Sequence, residues 1–244
     1  MDWINHINND DLLKIDFFQD FLSFLKYLSN KPIQKTATGN ISRADIGALS
    51  DIFRNGQRLK FMDEEMRWPI RSESEVPYLT QIKIIAEVMH LTYNRKKELR
   101  ISGNGKAFFT NLEPKIQYRN MVFAYWDQVN WGYFSARDTN VSIFQKNLAY
   151  ILKYFASRGS DWIEFTPFCR SLKDNFKLEN HYSREYGDPD FDIKLDIRYD
   201  LIERNLKLFG CVETELTEET EDNWRMTEIR RFRSTDIGLW LYYQ

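Results

Sequence analysis

Metal binding needs His, Cys, Asp or Glu at short, recurring spacings. The three histidines, His6, His90 and His181, share no such spacing with Cys169 or Cys211. No metal and no cofactor is expected. Asp188-Pro189-Asp190-Phe191-Asp192 opens like a calcium loop, but Ile193 stands where the turn glycine is needed and Tyr199 where the bidentate glutamate belongs. A helix N-terminus, which favours negative charge, accounts for the run instead. Gly103-Asn104-Gly105-Lys106 is reminiscent of a phosphate loop, yet Arg100 replaces the first glycine and Ala107 the magnesium-binding hydroxyl, so a helix cap is expected. Cys169 falls on an apolar helical stripe and Cys211 in a strand, positions of small buried thiols rather than activated nucleophiles. Carboxylates are abundant, but their spacing singles out no catalytic pair. These residues make no positive case for an enzyme.

Two groups remain that could make contacts. Arg95, Lys96, Lys97 and Arg100 form a compact basic run, and Arg225, Arg230, Arg231 and Arg233 stud a later strand. Either could neutralise phosphates of double-stranded DNA in a salt-sensitive, sequence-independent way. Against this, Glu213, Glu215, Glu218, Glu219, Glu221 and Asp222 lie close to the second group, and Arg231 and Arg233 share one face of an alternating strand, placed to pair with carboxylates across a hairpin. Aromatic residues crowd the segment from Leu112 to Tyr133. Trp126 and Trp131 there, with Trp68 from a charged segment, are the candidate partner-binding residues; burial in a shared core is the other explanation.

The chain of 244 residues is 43% hydrophobic and 16% aromatic, which excludes a disordered protein. Its 34 basic and 36 acidic residues leave a net charge of −2, which excludes a global attraction to nucleic acid or to an anionic membrane. The start, Met1-Asp2-Trp3-Ile4-Asn5-His6, lacks a basic stretch followed by an apolar run, so a cytoplasmic protein without disulfides is expected. Apolar stretches such as Met121 to Trp126 fall well short of the roughly 20 residues needed to cross a bilayer, so no membrane partner is expected.

The elements that must position these groups follow from periodicity. Leu13, Phe17, Phe21, Phe24, Leu25 and Leu28 recur at helical spacing up to Pro32. An extended piece follows, then a helix opened by Ser42 and Asp45 and closed by Asn55-Gly56. The stretch from Arg54 to Glu75 has the composition of a solvated loop. Leu79, Ile82, Ile85, Ala86 and Met89 mark a third helix, and segments flanking 94–97 a β-hairpin that ends in a Ser102-capped helix. After a buried aromatic helix opened by Pro114 the order recurs: a helix through Ile151 and Phe155, a strand at Trp162 to Phe165, and a helix after Thr166-Pro167. A helix through Ile193, Ile197, Leu201 and Leu206 then precedes a hairpin over 208–233 and a cap at Thr235.

The repeat is visible in residues: Phe24-Leu25-Lys26-Tyr27-Leu28 corresponds to Ile151-Leu152-Lys153-Tyr154-Phe155, and Ser102-Gly103-Asn104-Gly105 to Thr235-Asp236-Ile237-Gly238. The cap follows 77 residues after Leu25 in the first pass and 83 after Leu152 in the second. This pattern resembles a winged helix, three helices and a short strand packed against a two-stranded wing. The small-residue cap and glycine after each wing are similar to the tandem winged-helix modules of helicase-associated and plasmid-borne uncharacterised proteins. The resemblance implies a mainly α, α+β fold of two winged-helix-like units, residues 1–111 and 139–244, joined by a buried aromatic helix within 112–138. In a DNA-reading winged helix the third helix enters the major groove, so it needs exposed basic or amide side chains. The first such helix offers only Tyr78, Thr80 and Gln81 as edge readers beside Lys83 and Glu87; in the second, Asp190, Asp192, Asp196, Asp200 and Glu203 oppose Lys194, Arg198, Arg204 and Lys207. The expected function is therefore a non-enzymatic adaptor or regulatory protein that contacts a protein partner or a second copy of itself. The alternative is a DNA-associated regulator holding phosphates through its basic wings, and the third reading an enzyme assembled from scattered acids.

Overall fold

The helical stripe of phenylalanines folds as read. Asp16–Asn30 (α2) buries Phe17, Phe18, Phe21, Phe24, Leu25 and Leu28, behind a four-residue turn of helix, Asn9–Leu12 (α1). The computed structural model describes residues 7–63, 68–134, 141–182, 188–217 and 228–244. Arg225 and the acidic residues Glu218, Glu219, Glu221 and Asp222 lie outside the described residues. The fold is mainly α with small sheets, and no helix among the described residues is long and apolar enough to cross a membrane. The chain divides into two units, Asn8–Val129 and Asn130–Gln244, with Ile7 grouped in the second.

In the first unit Ile33–Gln34 (β1) leads to Arg43–Ser50 (α3), where Ser42 Oγ accepts the Asp45 N–H at 3.2 Å and donates to the Asp45 carboxylate at 2.8 Å. Phe61–Asp63 (β2) and Trp68–Pro69 (β3) pair antiparallel. Pro77–Val88 (α4), with proline in its first turn, precedes Thr92–Arg95 (β4) and Glu98–Ile101 (β5). Gly103–Asn111 (α5) and Pro114–Gln128 (α6) complete the unit. The sheet order is β1-β5-β4, with Ile33 opposite Leu99. Phe18 meets Tyr118 edge to face at 5.3 Å, and Phe21 meets Phe108 at 6.2 Å.

The second unit contains Val141–Lys146 (α7), Leu148–Arg158 (α8), Ile163–Glu164 (β6) and Phe165–Phe176 (α9). Pro189–Asp196 (α10) continues as a π-helix over Ile197–Lys207. Its buried face carries Ile197, Leu201, Ile202 and Leu206. Val212–Leu216 (β7), Ile229–Ser234 (β8) and Asp236–Tyr242 (α11) follow. The sheet order β6-β8-β7 repeats that of the first unit, with Ile163 opposite Phe232 where the first has Ile33 opposite Leu99. Phe155, Phe168 and Phe232 pack mutually with centroids 5.0 to 5.5 Å apart.

The correspondence extends to single hydrogen bonds. After the third helix of each unit, the Leu91 N–H bonds back to the Ala86 carbonyl and the Cys211 N–H to that of Leu206, both at 2.9 Å. The Ser102 hydroxyl donates to the His90 carbonyl and that of Thr235 to the Gly210 carbonyl. The same two oxygens accept the N–H groups of Gly105 and Gly238, opening α5 and α11. His90 and Gly210 hold the same left-handed helix-terminating position, φ 56° and 66°. Because only glycine adopts this backbone freely, His90→Gly is expected to stabilise the first unit by about 0.5 to 1 kcal/mol, and Gly210→Ala to weaken the second by about 1 kcal/mol, in urea titrations.

Three expectations change. The aromatic segment does not stand apart as a bridge: α6 groups with the first unit, and a single 3₁₀ turn, Trp131–Phe134, with the second. The stretch before α4 is not all solvated loop, since β2 and β3 lie in it and Glu73 is buried, accepting from Ile41 N–H and paired with Lys83. Trp126 and Trp131, offered as partner-binding residues, are buried, as aromatic area of that size is ordinarily withdrawn from water.

Candidate functional site

The surfaces open to a partner are the two hairpins and the few large apolar side chains left exposed. In the first hairpin, Arg95 pairs with Glu98 across a two-residue turn, Lys96-Lys97. Arg95, Lys96 and Lys97 are exposed, and Lys96 has φ 57°, a backbone position usually occupied by Gly or Asn. Arg100 lies on the same sheet face as Arg95 and is held by Glu98 at 2.6 Å. Together, Gln34 and Arg100 hold the Glu98 carboxyl below the usual range, so it stays charged. On β1's side, Lys35 donates its ammonium to the Asn94 side-chain oxygen at 3.0 Å, a neutral acceptor that leaves the charge in place.

The second hairpin has the same architecture with opposite electrostatics. Arg231 reaches Glu215 at 2.7 Å, Arg230 reaches the same carboxylate at 3.1 Å, and Arg233 pairs with Glu213. Arg231 and Arg233 also lie over the Trp162 ring, 4.7 and 4.6 Å from its centroid. The Arg231 guanidinium, by its hydrogen bonds first, holds the Glu215 carboxyl low. Three of the four arginines read as phosphate contacts are thus engaged by the hairpin's own acids, Arg231 and Arg233 by cross-strand pairing on one face and Arg230 beside the register shift that follows Glu215. Trp162 had no signal in the sequence, because which ring lies under which guanidinium depends on β6 joining β8.

The third helices present few donors. Tyr78 donates to Asp20 at 2.7 Å, Thr80 donates back to the Val76 carbonyl, Gln81 is buried and Lys83 is tied to Glu73. None of the three residues named as edge readers points a free donor outward. In the second unit Arg198 pairs with Glu203 and Arg204 with Asp200.

The residues with reactive side chains are held in the structure in other ways. Asp188 caps α10, its side chain accepting the Asp190 N–H, and Asp190 pairs with Lys173. Burial pushes the Cys169 thiol up to about 12, so it remains protonated and inert. Among the described residues no group of three or more His, Cys, Asp or Glu is arranged to hold a metal ion. Two buried carboxylates escaped the sequence reading, Asp20 and Glu73; each is satisfied by donors distant in sequence, which no local pattern announces.

Of the tryptophans proposed to meet a partner, only Trp68 is exposed, at 57% on β3. Tyr133 at 76% and Phe191 at 51% are open as well, without having been singled out. No protein-family model matches the chain, and no curated protein or solved structure matches it at a significant level.

Proposed function

We propose that this chain is a non-enzymatic adaptor or regulatory protein of two winged-helix-like units, acting through contacts with protein partners. The observation that supports this reading best is the pairing of Arg230, Arg231 and Arg233 of the second hairpin with Glu213 and Glu215, together with third helices in which Tyr78 and Gln81 are turned inward and Lys83, Arg198 and Arg204 are ion-paired. A duplex reader needs a helix with free donors beside a hairpin with unpaired cations, and of these the first unit supplies only the hairpin. The exposed Trp68, Tyr133 and Phe191 supply aromatic surface of the kind that anchors protein interfaces.

A salt series with a labelled DNA duplex tests this reading. The expected result is weak association whose log–log salt slope is shallower than about −1. Saturable binding with a slope near about −3.6, the value for four neutralised phosphates, would replace it with the DNA-associated reading.

A further inference from the structure

We infer that the first hairpin is a docking edge for an acidic, extended segment of a partner protein, which adds as a strand beside β4 with its carboxylates against Lys35, Arg95, Lys96 and Lys97. This deepens the adaptor reading and rests on it. The first support is charge. The segments of this sheet, 33–35 and 92–101, carry Lys35, Arg95, Lys96, Lys97 and Arg100 against Glu98, a balance of 5 − 1 = +4 in a chain whose net charge is −2. The second hairpin is an internal control: it sets Glu213 opposite Arg233 and Glu215 opposite Arg231, whereas the same rungs of the first set Tyr93 opposite Arg100 and Arg95 opposite Glu98, so one carboxylate serves two arginines there. One of the two counter-charges of the second hairpin has no equivalent in the first, and the turn adds Lys96 and Lys97, so an acidic partner is the complement.

The second support is the backbone. In the order β1-β5-β4 the last strand bonds to β5 on one side only. With the turn closing on Arg95 and Glu98, the pairs 95–98 and 93–100 exchange hydrogen bonds and the peptide groups of Asn94 turn to the open side. Tyr93 through Arg95 are exposed there. Phosphates would satisfy the cations, but only a peptide satisfies both the cations and an open row of N–H and C=O groups, as in strand addition. The third support is Lys96 itself. Its left-handed φ of 57° is one that Gly or Asn occupies with less strain, so the turn places a charge where backbone preference disfavours it.

The test uses the full chain and fluorescence anisotropy. The probe is a labelled heptapeptide alternating glutamate with valine; a lysine-for-glutamate peptide, a proline-for-valine peptide and a labelled duplex serve for comparison. The acidic peptide is expected to bind, and the lysine and proline peptides at least tenfold more weakly. The triple variant Arg95→Glu/Lys96→Glu/Lys97→Glu, at exposed turn positions, should lose at least tenfold, and Lys96→Gly, which suits the turn, about threefold. Arg230→Glu in the second hairpin should bind within twofold of the parent. Amide exchange at Asn94 should slow when peptide is bound. Absence of binding, unchanged affinity in the triple variant, or equal binding of the proline peptide overturns the inference. So does self-association in sedimentation that the triple variant abolishes, which would make a second copy the occupant. Tight duplex binding with a steep salt slope would remove the adaptor reading as well, whereas failure of both peptide and duplex to bind removes only the docking edge.

Discussion

Gly105→Ala and Gly238→Ala are each expected to destabilise their unit by about 3 kcal/mol or more. A Cβ at Gly105 would fall inside the Leu91 carbonyl oxygen, and one at Gly238 inside that of Cys211. Neither oxygen is free to retreat, because it accepts the backbone N–H of Ser102 or Thr235 and so ties the end of the third helix to the last helix. Relief of the clash means breaking that bond or shifting a hydrogen-bonded hairpin. Gly47→Ala on α3, where a Cβ meets nothing within 4 Å, serves as the control and should stabilise slightly, by about 0.5 to 1 kcal/mol. Urea unfolding followed by circular dichroism and tryptophan fluorescence measures all three. Equal stability of Gly105→Ala and the parent would refute the close approach, and with it the shared helix-to-cap joint of the two units.

Asp20→Ala should cost about 3 kcal/mol, since it strands three donors. The buried carboxylate accepts from Arg54 N–H at 2.6 Å, Asn55 N–H at 3.1 Å and the Tyr78 hydroxyl at 2.7 Å, and thereby fixes the chain after α3 against α2 and α4. Burial, and then the adjacent Asp20 charge, push the Tyr78 hydroxyl far up, so it remains a donor. Burial also raises the Asp20 carboxyl above its ordinary value despite those hydrogen bonds. A group whose pKa is raised by folding favours the fold most when protonated. Its contribution is complete below the unfolded-state value near about 3.9 and declines as pH rises through the folded one. The deficit of Asp20→Ala against the parent should therefore widen on acidification. Asp45 has the opposite sign. Burial pushes it up, but Tyr27, the Gln34 N–H, Ser42 and Lys31 outweigh this and hold it low, so its contribution is lost as pH falls through its folded value. The deficits of Asp20→Ala and Asp45→Ala against the parent, measured from pH 7 to 3, should change in opposite directions, the first widening and the second narrowing on acidification; parallel curves would contradict the assignment.

Local chemistry was the readable part. Ser42, Ser102 and Thr235 cap helices because a short hydroxyl followed by a helical stripe admits few other geometries, and both hairpins follow from alternating strands around a polar turn. The phenylalanine stripe of α2 needed only its period. Asp20 and Glu73 were illegible because an acid looks the same in sequence whether it faces water or distant donors, whereas Asp45 was legible as a cap but not as the acceptor of Tyr27 and the Gln34 N–H. Trp126 and Trp131 were ambiguous for a related reason: aromatic bulk makes either a core or an interface, and only the surroundings decide. Of the candidate contact residues, the same arginine-rich composition ended in two states, exposed at Arg95 and ion-paired at Arg231 and Arg233.

By itself, then, the order of residues determined the helices, the caps, the two hairpins and their recurrence, since periodicity and capping act between neighbours a few positions apart. Alternation already placed Arg231 and Arg233 to meet carboxylates, but tertiary structure decided which acids they meet and which charges remain unpaired. Pairing depends on which side chains a sheet brings face to face: β8 lies against glutamates on β7, whereas β4 and β5 set Tyr93 beside Arg100 and Arg95 beside Glu98 with Lys96 and Lys97 projecting beyond them. Charge neutralisation is a property of distance in space, and sequence separation does not report it.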